Sequence, residues 1–568
     1  MTSEEMNRIV SEDYADLLID YLGPQSILQS FPDATINPIN FLLSVVHVPV
    51  ELITNRTIYE LGYGVMPSLL GLVSQASLEA SGIRRIRNIP NFNLRGQGVL
   101  IGILDSGIDY RNPIFQNADG TTRIASIWDQ TIVSDNPPEN MFYGTEYSRE
   151  QINQALQNEN PLETVPSTDE NGHGTMIAGI AGGNEVPESN FYGVAPDAEF
   201  VIVKLKPAKK YLKNFFFIPE DVLCYQENDI SFALEYLLDV AARLNKPMAI
   251  CIAVDTSQSS HDGRGTLSSY ISLIAATEGI SLIVSAGNEG NTRRHYSEIT
   301  DKKIEYVTVE LNVGENEKGF SMELWGLRPS IFNIDILSPS GEYIERIAAG
   351  TDAYREITFV FEKTIIHLDY QMVESQSGDQ LILFRFDNPA TGIWRFNVYE
   401  RGNINTGFNI WLPMEGFITD NTYFIKPDPY TTVLTLGCTL LPITATAYNH
   451  IDDSLFSNAS RGYTRIGDIK PNIAAPGVNI IGPSLDKTFK EFTGTSVSAA
   501  HTAGIAALLL EWGIVKGNLS SMSTIEMKKL LERGARRDME IEYSNRDWGY
   551  GILDIFNVFD SLRAGLVE

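Results

Sequence analysis

Hydrophobic residues occur in short unbroken runs between residues 98 and 293. Runs of this kind are typical of strands buried in a parallel sheet, and they lie at 99–104, 200–203, 249–254 and 281–284. Between them, helical patterns cover 175–181 and 230–244. Because strands alternate with helices, this part of the chain predicts an α/β domain, with a parallel sheet that carries helices on both faces.

From residue 294 to residue 430 the pattern changes to short alternating segments. Alternation over 305–311, 332–337, 357–361, 380–386 and 394–399 predicts strands separated by turn clusters. Strands at this spacing are typical of an all-β sandwich or jelly roll. The α/β pattern returns at 432–436, continues through a loop to Gly494 and ends in a helix over 496–512. The β segment is therefore predicted to be inserted into the α/β domain.

The first 75 residues predict a small α+β unit. A helix is predicted over 14–21, and apolar runs follow at 41–50 and 69–73. The expected organisation is thus an N-terminal unit over 1–75, an inserted β domain over 294–430, and an α/β domain built from 76–293 and 431–568.

Composition narrows the possible partners of the chain. The 568 residues include 43 Lys and Arg against 72 Asp and Glu, a formal net charge of −29. This acidic balance argues against nucleic acid and anionic membranes as partners. No run reaches about 18 apolar residues, and no basic segment precedes an apolar one at the N-terminus, so neither a transmembrane helix nor a secretory signal is expected. A cytoplasmic location is predicted.

Four short motifs of the α/β parts carry candidate chemistry. An Asp and an Asn follow predicted strands, and a His and a Ser stand at predicted helix starts; the motifs are Asp105-Ser106-Gly107, Ser285-Ala286-Gly287-Asn288, Gly172-His173-Gly174 and Gly494-Thr495-Ser496. Each motif alone is more often a turn or a helix cap. Together they form the set that nucleophilic catalysis needs, in the chain order Asp, His, Ser that is characteristic of subtilisin.

The motifs resemble those of the subtilisin-like serine peptidases over residues 76–293 and 431–568. The segments Tyr192-Gly193-Val194-Ala195-Pro196 and Ala475-Pro476-Gly477-Val478 extend the resemblance. It implies that Ser496 is the nucleophile, His173 the general base, and Asp105 the residue that orients the imidazole. The Asn288 side chain and the Ser496 backbone N–H would then bind the oxyanion.

The same resemblance implies which residues bind substrate. Ala253, Val254 and Asp255 would form one side of the cleft, and Ala286 and Gly287 the other. Asp255 stands where the family commonly has glycine. We expect it either to select a basic or polar substrate residue or to narrow the cleft.

The long separation between Asn288 and Ser496 accommodates the inserted β segment. A jelly roll at this place resembles the Csp-type germination proteases of clostridia, which cleave the inactive pro-form of a spore-cortex hydrolase. The resemblance implies that residues 1–75 are a prodomain that acts as an intramolecular chaperone. We expect cleavage between Gln75 and Ala76, with the prodomain retained in the active site, and a location in the cytoplasm or the spore.

Two alternatives to an active peptidase remain open. One is a subtilisin-like pseudoprotease that serves as a binding or signalling scaffold, and the other is an adhesion module based on the β segment. The presence of Asp105, His173 and Ser496 favours the enzyme. No cofactor is expected, because the other histidines lack metal-ligand spacing. The resemblance leaves calcium open, although no oxygen-rich loop predicts a site for it.

Overall fold

The computed structural model describes residues 1–21, 28, 31, 34–72, 93–301, 303–348, 350 and 353–564. Its α-helices are Ser3–Val10, Thr57–Leu61, Arg149–Gln157, His173–Gly182, Lys210–Phe216, Glu227–Leu244, Thr266–Ala275, Thr495–Leu510, Thr524–Gly534 and Ile555–Ala564.

The described residues contain a nine-stranded central sheet whose inner strands are parallel. In spatial order the strands are Ser454–Leu455, Ile443–Asn449, Ile280–Ser285, Met248–Ile252, Leu100–Asp105, Glu199–Lys204, Ile124–Asp129 and Thr145–Ser148, with Ile473–Pro476 also paired to Ile443–Asn449. The predicted α/β architecture is confirmed. The segment 432–436, however, is a loop with a turn, and strands occupy the region before Gly494 that was predicted to be a loop.

Helices cover both faces of the central sheet. The helices His173–Gly182 and Thr495–Leu510 belong to the buried cluster on one face, whereas Glu227–Leu244 and Thr266–Ala275 contribute to the cluster on the other. Every residue of Thr495–Leu510 is buried, as expected for a helix that is apolar all round. The described helical stretch Thr495–Val515 is long and apolar enough to cross a membrane, but 89% of its most apolar window is buried inside the protein.

The N-terminal unit contains a three-stranded antiparallel sheet. Its strands are Tyr14–Asp20, Leu43–Pro49 and Thr35–Pro38, and the helix Ser3–Val10 precedes them. The helix predicted over 14–21 is therefore wrong. Leu18 packs into one buried cluster and Leu17 into another, so this strand is covered on both faces and lacks the alternation that marks a strand in sequence.

Two antiparallel sheets form the inserted β domain, which confirms that an all-β unit interrupts the α/β domain. The strands of one sheet are His295–Glu298, Phe408–Trp411, Gly319–Gly326, Gln380–Asp387, Ile365–Gln371 and Ala353–Thr358; those of the other are Tyr343–Ile347, Ile331–Leu337, Gly392–Arg401, Val307–Val313 and Tyr423–Phe424. Side chains from both sheets, including Phe384 and Phe396, share one core. The jelly-roll designation and the domain boundaries stay predictions.

A small sheet connects the N-terminal unit to the α/β domain. The strand Leu69–Leu72, here called the tail strand, lies between Val254–Asp255 and Tyr225–Gln226 and is antiparallel to both. A separate hairpin pairs Ile480–Pro483 with Phe489–Phe492.

Candidate active site

The three residues Asp105, His173 and Ser496 meet at the carboxyl edge of the central sheet. Asp105 is the last residue of the strand Leu100–Asp105, and His173 is the first residue of its helix. Ser496 is the second residue of the helix Thr495–Leu510, so its backbone N–H lies at the positive end of the helix dipole. Parallel strands and the helices that follow them bring such distant positions together at one edge.

Hydrogen-bond distances link the three side chains in series. The imidazole Nδ1 of His173 lies 2.8 and 2.9 Å from the two carboxylate oxygens of Asp105. Its Nε2 lies 3.3 Å from the hydroxyl oxygen of Ser496. All three residues are at most 5% exposed. Because the carboxylate of Asp105 accepts a hydrogen bond from Nδ1–H, the unprotonated Nε2 faces Ser496. In this arrangement the imidazole can deprotonate the hydroxyl as it attacks.

The carboxylate of Asp169, which the sequence analysis missed, supports this arrangement. Its Oδ1 accepts hydrogen bonds from the Ser106 hydroxyl (2.8 Å) and the Gly172 backbone N–H (2.8 Å), and its Oδ2 accepts from the Thr175 N–H (2.9 Å) and hydroxyl (2.7 Å). Asp169 thereby connects the turn after Asp105 to the start of the His173 helix. One sequence signal could have indicated Asp169. It is an acidic residue just before a helix whose N-cap, Gly172, has no side chain to accept the first N–H groups.

Tight packing around His173 requires a glycine beside it. A Cβ on Gly174 would overlap the carbonyl oxygen of Gly107, in the turn after Asp105. The Gly174 backbone N–H instead donates to the Ser106 hydroxyl at 3.0 Å. The glycine of the His motif therefore lets the two motifs approach closely.

Thr495 orients the side-chain amide of Asn288. The Oδ1 of Asn288 accepts from the backbone N–H of Thr495 at 3.2 Å and from its hydroxyl at 3.2 Å. Because a backbone N–H needs an acceptor, the atom that faces Thr495 is the amide oxygen of Asn288. The other terminal atom of the amide is therefore the nitrogen of the NH₂ group. The Asn288 side chain and the Ser496 N–H thus lie at the start of the nucleophile's helix, where an oxyanion site requires hydrogen-bond donors.

The two predicted sides of the cleft are joined by the loop after the inserted domain. The Leu434 N–H donates to the Ala286 carbonyl at 3.0 Å, and the Thr435 N–H donates to the Thr256 carbonyl at 2.9 Å. Gly287 is in turn held by the Thr495 hydroxyl, which accepts its N–H at 3.0 Å. Gly287 thus contacts the start of the nucleophile's helix and Ala253 shares a buried cluster with that helix, whereas Val254 belongs to the cluster on the other face of the sheet.

Asp255 occupies a different environment from the one that its sequence position implied. Its side chain is 1% exposed and accepts backbone N–H bonds from Thr256 (2.8 Å), Leu436 (2.9 Å) and Gly437 (3.2 Å). The carboxylate is thus engaged in the protein interior and is not available to select a basic or polar substrate residue. Burial raises the pKa of Asp255 to about 7, although the three N–H groups favour the charged form.

The raised pKa of Asp255 predicts a contribution to stability that depends on pH. An unfolded Asp has a pKa of about 3.9, so between about pH 4 and pH 7 the folded protein binds more protons at this site than the unfolded chain. The contribution of Asp255 to the free energy of unfolding should therefore fall as the pH rises through this window. The quantity to measure is the urea midpoint of wild type minus that of Asp255→Asn. We expect this difference to be smaller at pH 8 than at pH 5.

The matched control for this prediction is Glu51→Gln, which changes an exposed carboxylate. Its midpoint relative to wild type should be the same at both pH values. A difference between wild type and Asp255→Asn that does not vary with pH would contradict the prediction.

The tail strand lies along the cleft side formed by Val254 and Asp255. Leu72 pairs with Val254, and Gly71 pairs with Asp255. Two side chains hold the other end of the strand: Gln258 accepts the Leu69 N–H at 2.9 Å, and Glu227 accepts the Ser68 N–H at 3.0 Å. Burial raises the pKa of Glu227. The predicted junction of Gln75 and Ala76 lies outside the described residues.

Metal ligands do not cluster in the described part of the chain. No group of three or more His, Cys, Asp or Glu side chains there is arranged to hold a metal ion. The three cysteines, Cys224, Cys251 and Cys438, are buried and free.

Comparisons with known proteins identify the family of this chain. The chain belongs to the subtilase family, which matches residues 96–551. It is similar to the CspB protease of Clostridium perfringens, with 30% sequence identity and a TM-score of 0.77 over 86% of this chain and 98% of that one. The subtilisin-like fold and the resemblance to Csp-type peptidases are thereby confirmed.

Two curated relatives match more distantly. The chain is 24% identical over 451 residues to the subtilisin-like protease SBT3.1 of Arabidopsis thaliana, and 21% identical over 532 residues to the PII-type proteinase of Lacticaseibacillus paracasei. These alignments cover 73% and 83% of this chain. The chain spans 53% of the length of the plant relative and 26% of the bacterial one.

Proposed function

We propose that this protein is a serine endopeptidase that hydrolyses peptide bonds through an acyl-enzyme. The observation that carries the proposal is the continuous series of contacts from Ser496 through His173 to Asp105. A pseudoprotease is less well supported, because all three residues are present and within hydrogen-bond reach of one another. Membership of the subtilase family supports the same activity.

The site residues have distinct roles in this mechanism. The Ser496 hydroxyl attacks the carbonyl carbon while His173 Nε2 takes its proton, and His173 then gives that proton to the leaving amine. Asp105 keeps the imidazole in the required tautomer and stabilises the imidazolium. The Asn288 NH₂ group and the Ser496 N–H bind the oxyanion, and losing one such donor typically costs about 10²–10³ in kcat. A water molecule then attacks the acyl carbon while His173 Nε2 takes its proton, and His173 returns that proton to the Ser496 oxygen as the carboxylic acid leaves.

The tail strand supports cleavage of the protein's own N-terminal unit. It adds to the edge of Val254–Asp255 by main-chain pairing, which is how an extended substrate binds beside a nucleophile. The chain continues from Leu72 toward the predicted junction at Gln75 and Ala76. We propose that the strand marks the path of the segment that is cleaved in autoprocessing.

The buried contacts of Asp16 support retention of the N-terminal unit after cleavage. Its Oδ1 lies 2.7 Å from Lys209 Nζ and 2.7 Å from His47 Nδ1, and its Oδ2 accepts from Gln226 Nε2 at 3.0 Å. Burial by itself raises the pKa of Asp16, but the charges of Lys209 and His47 outweigh it and hold the pKa well below its ordinary range. An ion pair of this kind across the interface resists separation once the backbone is cut.

The physiological substrate is proposed from the Csp-type resemblance. We propose a specific pro-protein, such as the zymogen of a spore-cortex hydrolase, and a role in germination in the cytoplasm or the spore. The acidic surface favours approach of basic or neutral protein surfaces, and such steering weakens with salt.

N-terminal sequencing of the purified protein tests the proposal. Wild type should resolve on a denaturing gel into a fragment of about 75 residues, as the predicted junction requires, and a larger fragment that begins at Ala76. The two should co-elute under native conditions if the N-terminal unit is retained. A single band that begins at Met1 would contradict autoprocessing, and a large fragment with a different first residue would contradict cleavage between Gln75 and Ala76.

A further inference from the structure

The two faces of the tail strand meet different parts of the protein. Side chains alternate along a strand, so Leu70 and Leu72 point one way while Leu69 and Gly71 point the other. Leu70 belongs to the buried cluster of the α/β domain that includes Val254 and Leu267. Leu69 belongs instead to a cluster shared with the inserted β domain.

A turn of the inserted domain covers the second face. This turn, here called the covering turn, runs from Met414 to Phe417 and is closed by a hydrogen bond from the Phe417 N–H to the Met414 carbonyl at 3.1 Å. Met414 is 4% exposed and Phe417 is 3% exposed, and both lie in the same buried cluster as Leu69. The inserted domain thus contributes apolar side chains to the surroundings of the tail strand.

Both sides of the cleft anchor the covering turn. On one side, the carboxylate of Glu289, the residue after Asn288, accepts the Glu415 N–H at 2.9 Å. On the other side, the Ser257 hydroxyl donates to the Leu412 carbonyl at 2.9 Å. One bond holds Glu415 within the turn and the other holds Leu412 just before it, so moving the turn away from the tail strand would disturb both bonds.

Gly71 lies directly beneath the covering turn. A Cβ added to Gly71 would lie 3.0 Å from Phe417 Cε1 and 3.3 Å from the Sδ and Cε atoms of Met414. Gly71 lies in a regular β-strand, whose backbone conformation any residue can adopt. The size of the side chain at this position is therefore limited by the space beneath the turn. A methyl group would require the anchored turn to shift slightly, and a branched side chain would require much more.

We propose that the inserted β domain determines substrate specificity: Met414 and Phe417 favour glycine as the substrate residue that pairs with Asp255 and exclude branched side chains there. The inference rests on the proposed function, because the tail strand is taken to occupy the substrate's place. The preferred substrates are then extended protein segments with a glycine at this position. Leu434, which follows the inserted domain, and Trp411, which precedes the turn, belong to the same cluster.

Autoprocessing of full-length variants tests this inference. In a time course of cell-free synthesis, Gly71→Val should be cleaved at least about tenfold more slowly than wild type, because the larger side chain overpacks against the turn. Adding Met414→Ala and Phe417→Leu to the same chain should restore most of the rate, since both remove the atoms that face Gly71. The control Gly350→Val, where a Cβ has open space, should be cleaved like wild type.

Each outcome of this experiment decides one question. Cleavage of Gly71→Val at the wild-type rate would overturn the specificity role and leave the proposed peptidase activity intact. Slow cleavage that the double replacement does not restore would also overturn it, because the defect would then lie in folding of the tail. If wild type itself is not cleaved and matches Ser496→Ala, the proposed function fails, and this inference fails with it.

Discussion

Replacement of Ser496 by alanine is expected to abolish processing of the N-terminal unit. Wild type should yield two fragments, whereas Ser496→Ala should remain a single intact chain. The variant keeps the helix that carries residue 496 but removes the hydroxyl that lies 3.3 Å from His173 Nε2. In subtilisin, loss of the nucleophile lowers kcat by about 10⁶, because the base then has no hydroxyl to deprotonate and the carboxylate has no imidazolium to stabilise.

Ser498→Ala provides the matched control for this prediction. Ser498 lies on the same helix, but its hydroxyl donates to the carbonyl groups of Ala475 and Pro476 at 3.0 and 3.1 Å. The same chemical change away from His173 should leave processing in place. Intact mass measurement over time distinguishes the two variants. Cleavage of Ser496→Ala at the wild-type rate would show that another protease cuts the chain, and would contradict the proposed mechanism.

The second large effect is expected at Asp16, in the interface of the N-terminal unit. In Asp16→Ala, Lys209 loses its carboxylate partner while it remains buried, at 3% exposure. Removing one partner of a buried ion pair typically costs about 3–5 kcal/mol. That corresponds to retention weaker by roughly 10² to 4 × 10³-fold. We therefore expect the cleaved N-terminal fragment to separate from the large fragment on native gel filtration, where the wild-type fragments stay together.

The exposed pair of Glu4 and Arg8 offers a control in the same unit. Glu4 is 80% exposed in its side chain, and surface pairs contribute only about 0–1 kcal/mol. Glu4→Ala should therefore leave retention unchanged. Asp16→Asn keeps the shape of the side chain while it removes the charge, so it separates loss of the ion pair from a failure to fold. Fragments of Asp16→Ala and Asp16→Asn that co-elute as in wild type would show that this ion pair does not hold the unit.

Asp105, His173 and Ser496, which the structure brings together, could be proposed from the sequence because each depends on local signals. A strand ends at Asp105, and glycines flank His173 and precede the helix of Ser496. These signals involve neighbouring residues, and the parallel α/β topology then brings strand ends and helix starts to one edge. The same local approach was wrong for Tyr14–Asp20, because burial of both faces removed the alternation by which a strand is recognised.

The sequence by itself determined the α/β and β organisation of this protein and the residues that form the candidate catalytic series. Only the tertiary structure decided the surroundings of those residues. The carboxylate of Asp255 meets Leu436, that of Asp16 meets Lys209, and Gly71 meets Phe417. In each pair the partners are far apart in the chain. Periodicity and capping report on residues within a few positions, whereas these contacts depend on the packing of whole domains, which no local pattern encodes.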